Sequence, residues 1–261
     1  MFEWLEYEFM LRALAATSVL SFSIAPVGAF LVLRRLSLAG EAMAHAIVPG
    51  FVIGFVIAGL SVTSMIMGGL AAGLASLYLI SLALGIFILS AAGSAVPLKS
   101  FLFGSILGMD DETLYLIGAT ATVTLVSFAL ILRPLVTSTI DPVFHESRSS
   151  RPGLVVHWFM FLVVLNLLGA FKALGTLMAV GLMILPATAA RYWVSTLTGY
   201  LVLTFLFALA SCWAGLILSF YASEVPSGPA IILVAGAIFF VSVLFAPQGL
   251  GFLRRRRPSP R

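Results

Sequence analysis

"SVTSMIMGGLAAGLASLYLISLALGIFILSAAG", residues 61–93, runs without a single charged side chain. About 20 consecutive apolar residues cross a bilayer. The stretch is therefore too long for one comfortable crossing and too short for two full ones joined by a turn. Its reading decides the fold, because every later segment changes sides with it. The whole chain is of the same character: 261 residues, 61% hydrophobic and 9% charged, with a mean hydropathy of +1.16. A soluble domain carries roughly 25% charged residues. The chain reads as an all-α integral membrane protein, with residues 1–253 forming one transmembrane domain and 254–261 a basic tail.

Outward from that stretch, hydropathy places crossings near residues 10–33, 44–60, 113–133, 154–171, 173–189, 198–220 and 229–247. Charge asymmetry arbitrates the residues between 62 and 92, since cytoplasmic loops collect Lys and Arg. With the N-terminus outside and two short crossings there, Arg34, Arg35, Arg133, Arg148, Arg151, Arg191 and the five arginines of the tail lie inside. Only Arg12, Lys99 and Lys172 remain outside. A single crossing would put a basic cluster on the outer face. The expectation is a multi-pass helical bundle of about eight to nine transmembrane helices, N-terminus outside and C-terminus cytoplasmic.

The net charge of +4 is a topology signal and does not point to nucleic acid. Cys212 is the only cysteine, lies in an apolar run and reads as a packing residue. The acidic start "MFEWLEYEFMLR" lacks the basic region of a signal peptide.

Candidate chemistry lies in "LRRLSLAGEAMAHAIVPG", residues 33–50. Glu41 and His45 are four apart, so on a helix they share one face. Carboxylate oxygen and imidazole nitrogen together suit a divalent cation, and ionisable residues in spans usually face a pathway. A solvated Glu41 beside a hydrogen-bonded His45 is the bland alternative. Pro49 and Gly50 mark a helix break that would free backbone carbonyls beside His45. Arg34 and Arg35 read as anchors of the inner end of the first span. In "FYASEVPSGPA", Pro226, Gly228 and Pro229 force an outer turn beside Glu224. His145 and His157 stand far from any carboxylate cluster and read as structural or solvated. No G-x-x-x-x-G-K-[ST], G-x-S-x-G or H-E-x-x-H pattern occurs, which excludes P-loop ATP binding and two common hydrolase signatures.

Four segments in order, "LRRLSLAGEAMAHAIVPG", "FLFGSILGM", "LGTLMAVGLMILPATAARYW" and "FYASEVPSGPAIILVAG", resemble the permease subunits of the ABC-3 family of bacterial metal importers. The resemblance implies a type II ABC importer fold in the bacterial plasma (inner) membrane and a homodimer of permeases embedded in membrane lipid. Separate cytoplasmic ABC ATPase subunits and an extracytoplasmic metal-binding solute-binding protein complete the assembly. The chain itself is then no enzyme and holds no permanent cofactor. Its cargo is a divalent transition metal, zinc first, with manganese or iron as alternatives. A two-fold axis would bring Glu41 and His45 of both copies to one path. The segment 186–199, with Pro186, Ala190 and Arg191, resembles the part that docks into the ATPase and is expected as a helix lying along the membrane, with "TSTIDPVFHESRSS", residues 137–150, as the alternative. Glu224, Pro226 and Gly228 fall in the outer loop or gate. The chain departs from the family in having Glu41 where Asp is usual, and in lacking a charged inner loop between the third and fourth spans. A proton-coupled secondary transporter, with Glu41 and His45 as a relay, is the alternative.

Overall fold

The computed structural model describes residues 7–37, 106, 108–148, 152–222 and 225–249. The expected short crossings between 62 and 92 and the span at 44–60 lie outside them. Seven helices and no strand occur among the described residues. They are α1 (Glu8–Leu33), α2 (Asp111–Ile140), α3 (Pro142–Arg148), α4 (Pro152–Leu174), α5 (Thr176–Arg191), α6 (Leu197–Tyr221) and α7 (Ser227–Phe245). Five of them (α1, α2, α4, α6 and α7) are long and apolar enough to cross a membrane. At a rise of about 1.5 Å per residue, α1 with 26 residues is about 39 Å long. The 16 residues of α5 reach only about 24 Å, less than the roughly 30 Å of a hydrocarbon core.

Side-chain contacts fix the helix directions. Arg12 near the start of α1 reaches Asp111 at the start of α2 (2.8 Å), and Lys172 in the last turn of α4 faces Asp110 (3.8 Å). Tyr7 packs on Phe220 near the end of α6, with ring centroids 5.6 Å apart. At the opposite end, Arg34 hydrogen-bonds Thr139 (3.0 Å) and Tyr200 reaches the carbonyl of Ala29 (3.4 Å). There the Gln248 N–H also donates to the carbonyl of Tyr192 (3.2 Å). Thus α1, α2, α5 and α7 run one way, and α4 and α6 the other. The nine-crossing expectation requires α1 and α2 to be parallel, and they are; the crossings between them lie outside the described residues.

Lipid tails are as apolar as leucine, so close packing and polar contacts hold such a bundle together. α1 is the hub, packed on α2, α4, α5 and α6. Its inward faces alternate small residues (Ala13, Ala16, Ala25, Ala29) with Leu20, Ile24 and Phe30, all essentially buried. Phe30 meets Phe128 of α2 and Phe159 of α4 at 5.4 and 6.5 Å between centroids, each edge-on. Gly28 is obligatory: a Cβ there would lie 2.0 Å from the carbonyl oxygen of Met183 in α5. Gly215 meets the backbone of Ile231 in α7 in the same way (2.4 Å to its Cα). Cys212 is buried, as its apolar run suggested, and accepts a hydrogen bond from Ser21.

Two boundaries differ from the sequence reading. α2 continues past Arg133 and Pro134 to Ile140, because Arg34 binds its last turn: Nε donates to Thr139 and the guanidinium also reaches Ser138 and the carbonyl of Leu135. The turn expected at Lys172 falls at Gly175, whose φ of 87° favours glycine. Lys172 stays helical and turns its ammonium to Asp110.

Candidate functional site

Glu41, His45, Pro49, Gly50 and Glu224 lie outside the described residues. Among the described residues no three His, Cys, Asp or Glu side chains stand close enough together to hold a metal ion. The two described histidines part company. His157 is exposed, with Nδ1 2.7 Å from the carbonyl of Gly153, whereas His145 on α3 is buried.

One end of the bundle carries an ionic clasp. Asp110 caps α2, accepting from the backbone N–H of Thr113 at 3.1 Å and from the Thr113 hydroxyl. The hydroxyl first, then that N–H and the Lys172 ammonium, hold the Asp110 carboxyl below its usual range, against a burial that pushes it up. Beside it Arg12 bridges Glu8 and Asp111, both at 2.8 Å. The clasp ties α1, α2 and α4 together. The turn at 222–226 lies at this end: the N–H of Val225 donates to the carbonyl of Ala222 (2.8 Å), and Ser219 donates to the carbonyl of Val225 (2.8 Å). Pro226 is exposed at the N-cap of α7, and Gly228 is buried in its first turn.

The other end carries the α5–α6 turn. The expected surface helix over 186–199 is not a separate element. α5 runs through Pro186 to Arg191, a turn follows, and α6 begins at Leu197. Thr188 back-bonds to the carbonyls of Ile184 and Leu185 around the proline. Pro186 and Ala190 are buried, Ala190 in a cluster with Ala29, Val32, Ala187 and Tyr200. Arg191, Trp193, Ser195, Thr196 and Thr198 are exposed. Trp193 donates from Nε1 to Ser242 (2.9 Å), which fastens the turn to α7. Arg191, Ser195, Thr196, Tyr200 and Gln248 line part of a cavity of about 440 Å³ between this turn, α1 and α2. The arrangement is an exposed turn carrying Arg191, Trp193, Ser195 and Thr196 on a buried small-residue base.

Two features escaped the sequence reading. Arg34, taken as an interfacial anchor, is half-buried against α2 and lies over the Phe159 ring, 5.5 Å from its centroid. Asn166, the only asparagine in the chain, is 1% exposed within α4. Its isolation in an apolar span was a signal that could have been read.

With this geometry in hand, the comparisons with known proteins are specific. The ABC 3 transport family model matches residues 6–82 and 74–246. The manganese transport system membrane protein MntC of Listeria monocytogenes is 29% identical over 97% of this chain and 96% of its own. The manganese import system permease protein ScaB of Streptococcus parasanguinis is 28% identical over 93% and 92%. Among solved structures, PsaBC from Streptococcus pneumoniae in complex with Fab superposes with a TM-score of 0.85, at 25% identity over 97% of each chain. An inward-facing putative metal-chelate type ABC transporter shares the fold, with a TM-score of 0.61 and 16% identity. The family model spans most of the chain and the relatives match it end to end: the chain belongs to the ABC 3 transport family, as a membrane permease and not as an enzyme.

Proposed function

We propose that this chain is the manganese-translocating permease subunit of a bacterial ABC importer. The single observation that carries the reading is the end-to-end match to relatives whose names specify manganese transport. Zinc, first in the sequence reading, finds no support among these names. A mixed carboxylate and imidazole set also suits manganese, which such ligands hold more weakly than zinc, and a pathway site must release what it binds. Family membership assigns the energy source to a separate ATPase, which leaves no work for a proton relay.

In this reading two copies pair so that Glu41 and His45 of each face a common path as transient ligands, with the Pro49-Gly50 break beside them. The ionic clasp and the turn with Glu224 and Pro226 face outward, toward a solute-binding protein, with Gly228 packed behind them in the first turn of α7. The α5–α6 turn faces the cytoplasm and presents Arg191 to the ATPase, while Pro186 and Ala190 hold the turn's base rigid. Support for that orientation comes from the lysine and arginine distribution.

The test is radiolabelled manganese uptake in cells producing the chain with its ATPase and solute-binding protein. Glu41→Gln and His45→Ala each lower uptake by about tenfold or more at unchanged membrane level, and Glu41→Asp retains it. Uptake of zinc but not manganese by the unaltered chain would overturn the manganese assignment. Wild-type rates in both Glu41→Gln and His45→Ala would remove those residues from the path.

A further inference from the structure

Two cavities follow one another along a single seam, where α1, α2 and α6 meet. The first, of about 440 Å³, is at the end of the bundle that carries the α5–α6 turn, and Thr139, Arg191, Ser195, Thr196, Tyr200 and Gln248 give it its polar walls. The second, of about 300 Å³, is a groove whose described lining residues are all apolar, among them Phe22, Pro26, Leu125, Leu132, Leu201 and Phe205. On each helix a residue of the groove stands one turn from a residue of the first cavity, on the same face. The pairs are Pro26 and Phe30 on α1, Leu132 and Val136 on α2, and Leu201 and Leu197 on α6. Phe22, Ala129 and Val202 of the groove are exposed, so it opens on the apolar surface of the bundle. From Thr139 to Leu125 the seam runs about 21 Å along α2, enough to cross one leaflet, half of the roughly 30 Å hydrocarbon core.

The polar cavity carries the charge of an anion site. Arg191 has no carboxylate within ion-pair distance among the described residues. Arg34 adds a second positive charge at the wall, where its Nε donates to Thr139 (3.0 Å). Asp141 does not line the cavity, and its carboxylate accepts from the N–H of Phe144 (2.9 Å). Thr196, at the N-cap of α6, makes no side-chain capping bond, which leaves the first N–H groups of that helix to an anion.

We infer that this seam binds an anionic phospholipid of the leaflet on the α5–α6 side, with its phosphate at Arg191, Ser195 and Thr196 and an acyl chain in the groove. Charge alone would suit any phosphate, but only a lipid also brings the hydrocarbon that the groove one turn deeper accommodates. The bound lipid braces α6 against α1 and α2 behind the turn. The inference needs only that the chain spans a membrane, and it does not depend on which metal is carried.

The experiment places the permease with its ATPase in discs of phosphatidylcholine, alone or mixed with phosphatidylglycerol. After release into mild detergent, mass spectrometry of the intact complex counts the lipids that stay bound. Phosphatidylglycerol is expected to stay in preference to phosphatidylcholine and to raise the melting temperature. Ala129→Trp fills the groove from its exposed edge, and Thr196→Glu sets a carboxylate at the phosphate position. Each lowers phosphatidylglycerol retention about tenfold, while melting in pure phosphatidylcholine is unchanged. Thr196 is exposed, so its variant carries the test if the tryptophan variant fails to fold. Inorganic phosphate added to phosphatidylcholine discs leaves the melting temperature where it was; a rise equal to that from phosphatidylglycerol would make this a free-anion site and overturn the lipid. Equal retention of both lipids, or retention that neither variant lowers, also overturns the inference. So does loss of the ATPase or of a second permease copy from the complex in Ala129→Trp, which would show that protein covers the groove.

Discussion

At Arg35 the backbone takes a φ of 59°, the left-handed value that closes a helix and that glycine adopts most cheaply. The N–H of Leu36 reaches back to the carbonyl of Leu31 (2.9 Å) and that of Arg35 to Val32 (3.1 Å), the paired bonds of a helix-closing motif. Arg35 is exposed and spends backbone strain there, while its neighbour Arg34 turns inward to the end of α2. The two arginines thus predict opposite outcomes. Arg35→Gly raises the melting point in detergent, by about 1 kcal/mol of relieved strain. Arg34→Ala lowers stability by about 2 kcal/mol and frees the last turn of α2, seen as faster amide exchange over residues 135–140. Equal effects from the two substitutions would show that only positive charge at this end matters.

Between elements, contact depends on positions where nothing larger than hydrogen fits. Gly28→Leu drives a side chain into the Met183 carbonyl and separates α1 from α5, at a cost of roughly 3 kcal/mol or more; folded protein in the membrane falls steeply. Gly118 on α2 has open space around it, so Gly118→Ala is tolerated and gains about 0.5–1 kcal/mol of helix stability. The clasp at the other end adds a pH dependence whose sign is set by Asp110. Its folded-state pKa is depressed, so its stabilising contribution is present above the unfolded carboxylate pKa and is lost as pH falls through the folded value. Melting in detergent against pH therefore shows a loss on the acid side that Asp110→Asn removes. Because the pair with Lys172 is open to water, that loss is small and shrinks further in high salt.

For the whole molecule, the helix directions fix which ends lie together. The start of α1 and the end of α7 are at opposite ends of the bundle, as the ion pairs at Arg12 and the Gln248–Tyr192 bond require. Reporter fusions at Met1 and Arg261 are expected on opposite sides of the membrane, the second cytoplasmic. The α5–α6 turn, at the end proposed to face the cytoplasm, exposes Arg191, Trp193 and Ser195 above a buried base. Arg191→Glu leaves the permease inserted and melting normally, since Arg191 is outside the core, but it uncouples ATP hydrolysis from metal uptake. Cross-links to the ATPase from residues 141–148 and not from 191–198 would move the docking role to α3.

Long apolar runs punctuated by Arg34, Arg133, Lys172 and Arg191 were enough to read the membrane class, the position of each described span and the relative direction of α1 and α2. Water and lipid sort residues by polarity one at a time, and that sorting is local in sequence. The four family-like segments made the permease reading possible before any helix was placed. What the chain alone did not reveal involves pairs of residues far apart in it. The burial of Pro186 and Ala190 beneath an exposed Arg191 depends on α1 lying behind them, and the reach of α2 past Pro134 depends on Arg34, about a hundred positions earlier. The seam that lines up Phe30, Val136 and Leu197 exists only because α1, α2 and α6 meet there. Hydropathy assigns a residue to membrane or water, but hydrogen bonds and close packing between helices decide which neighbour it meets, and those are settled by the tertiary structure.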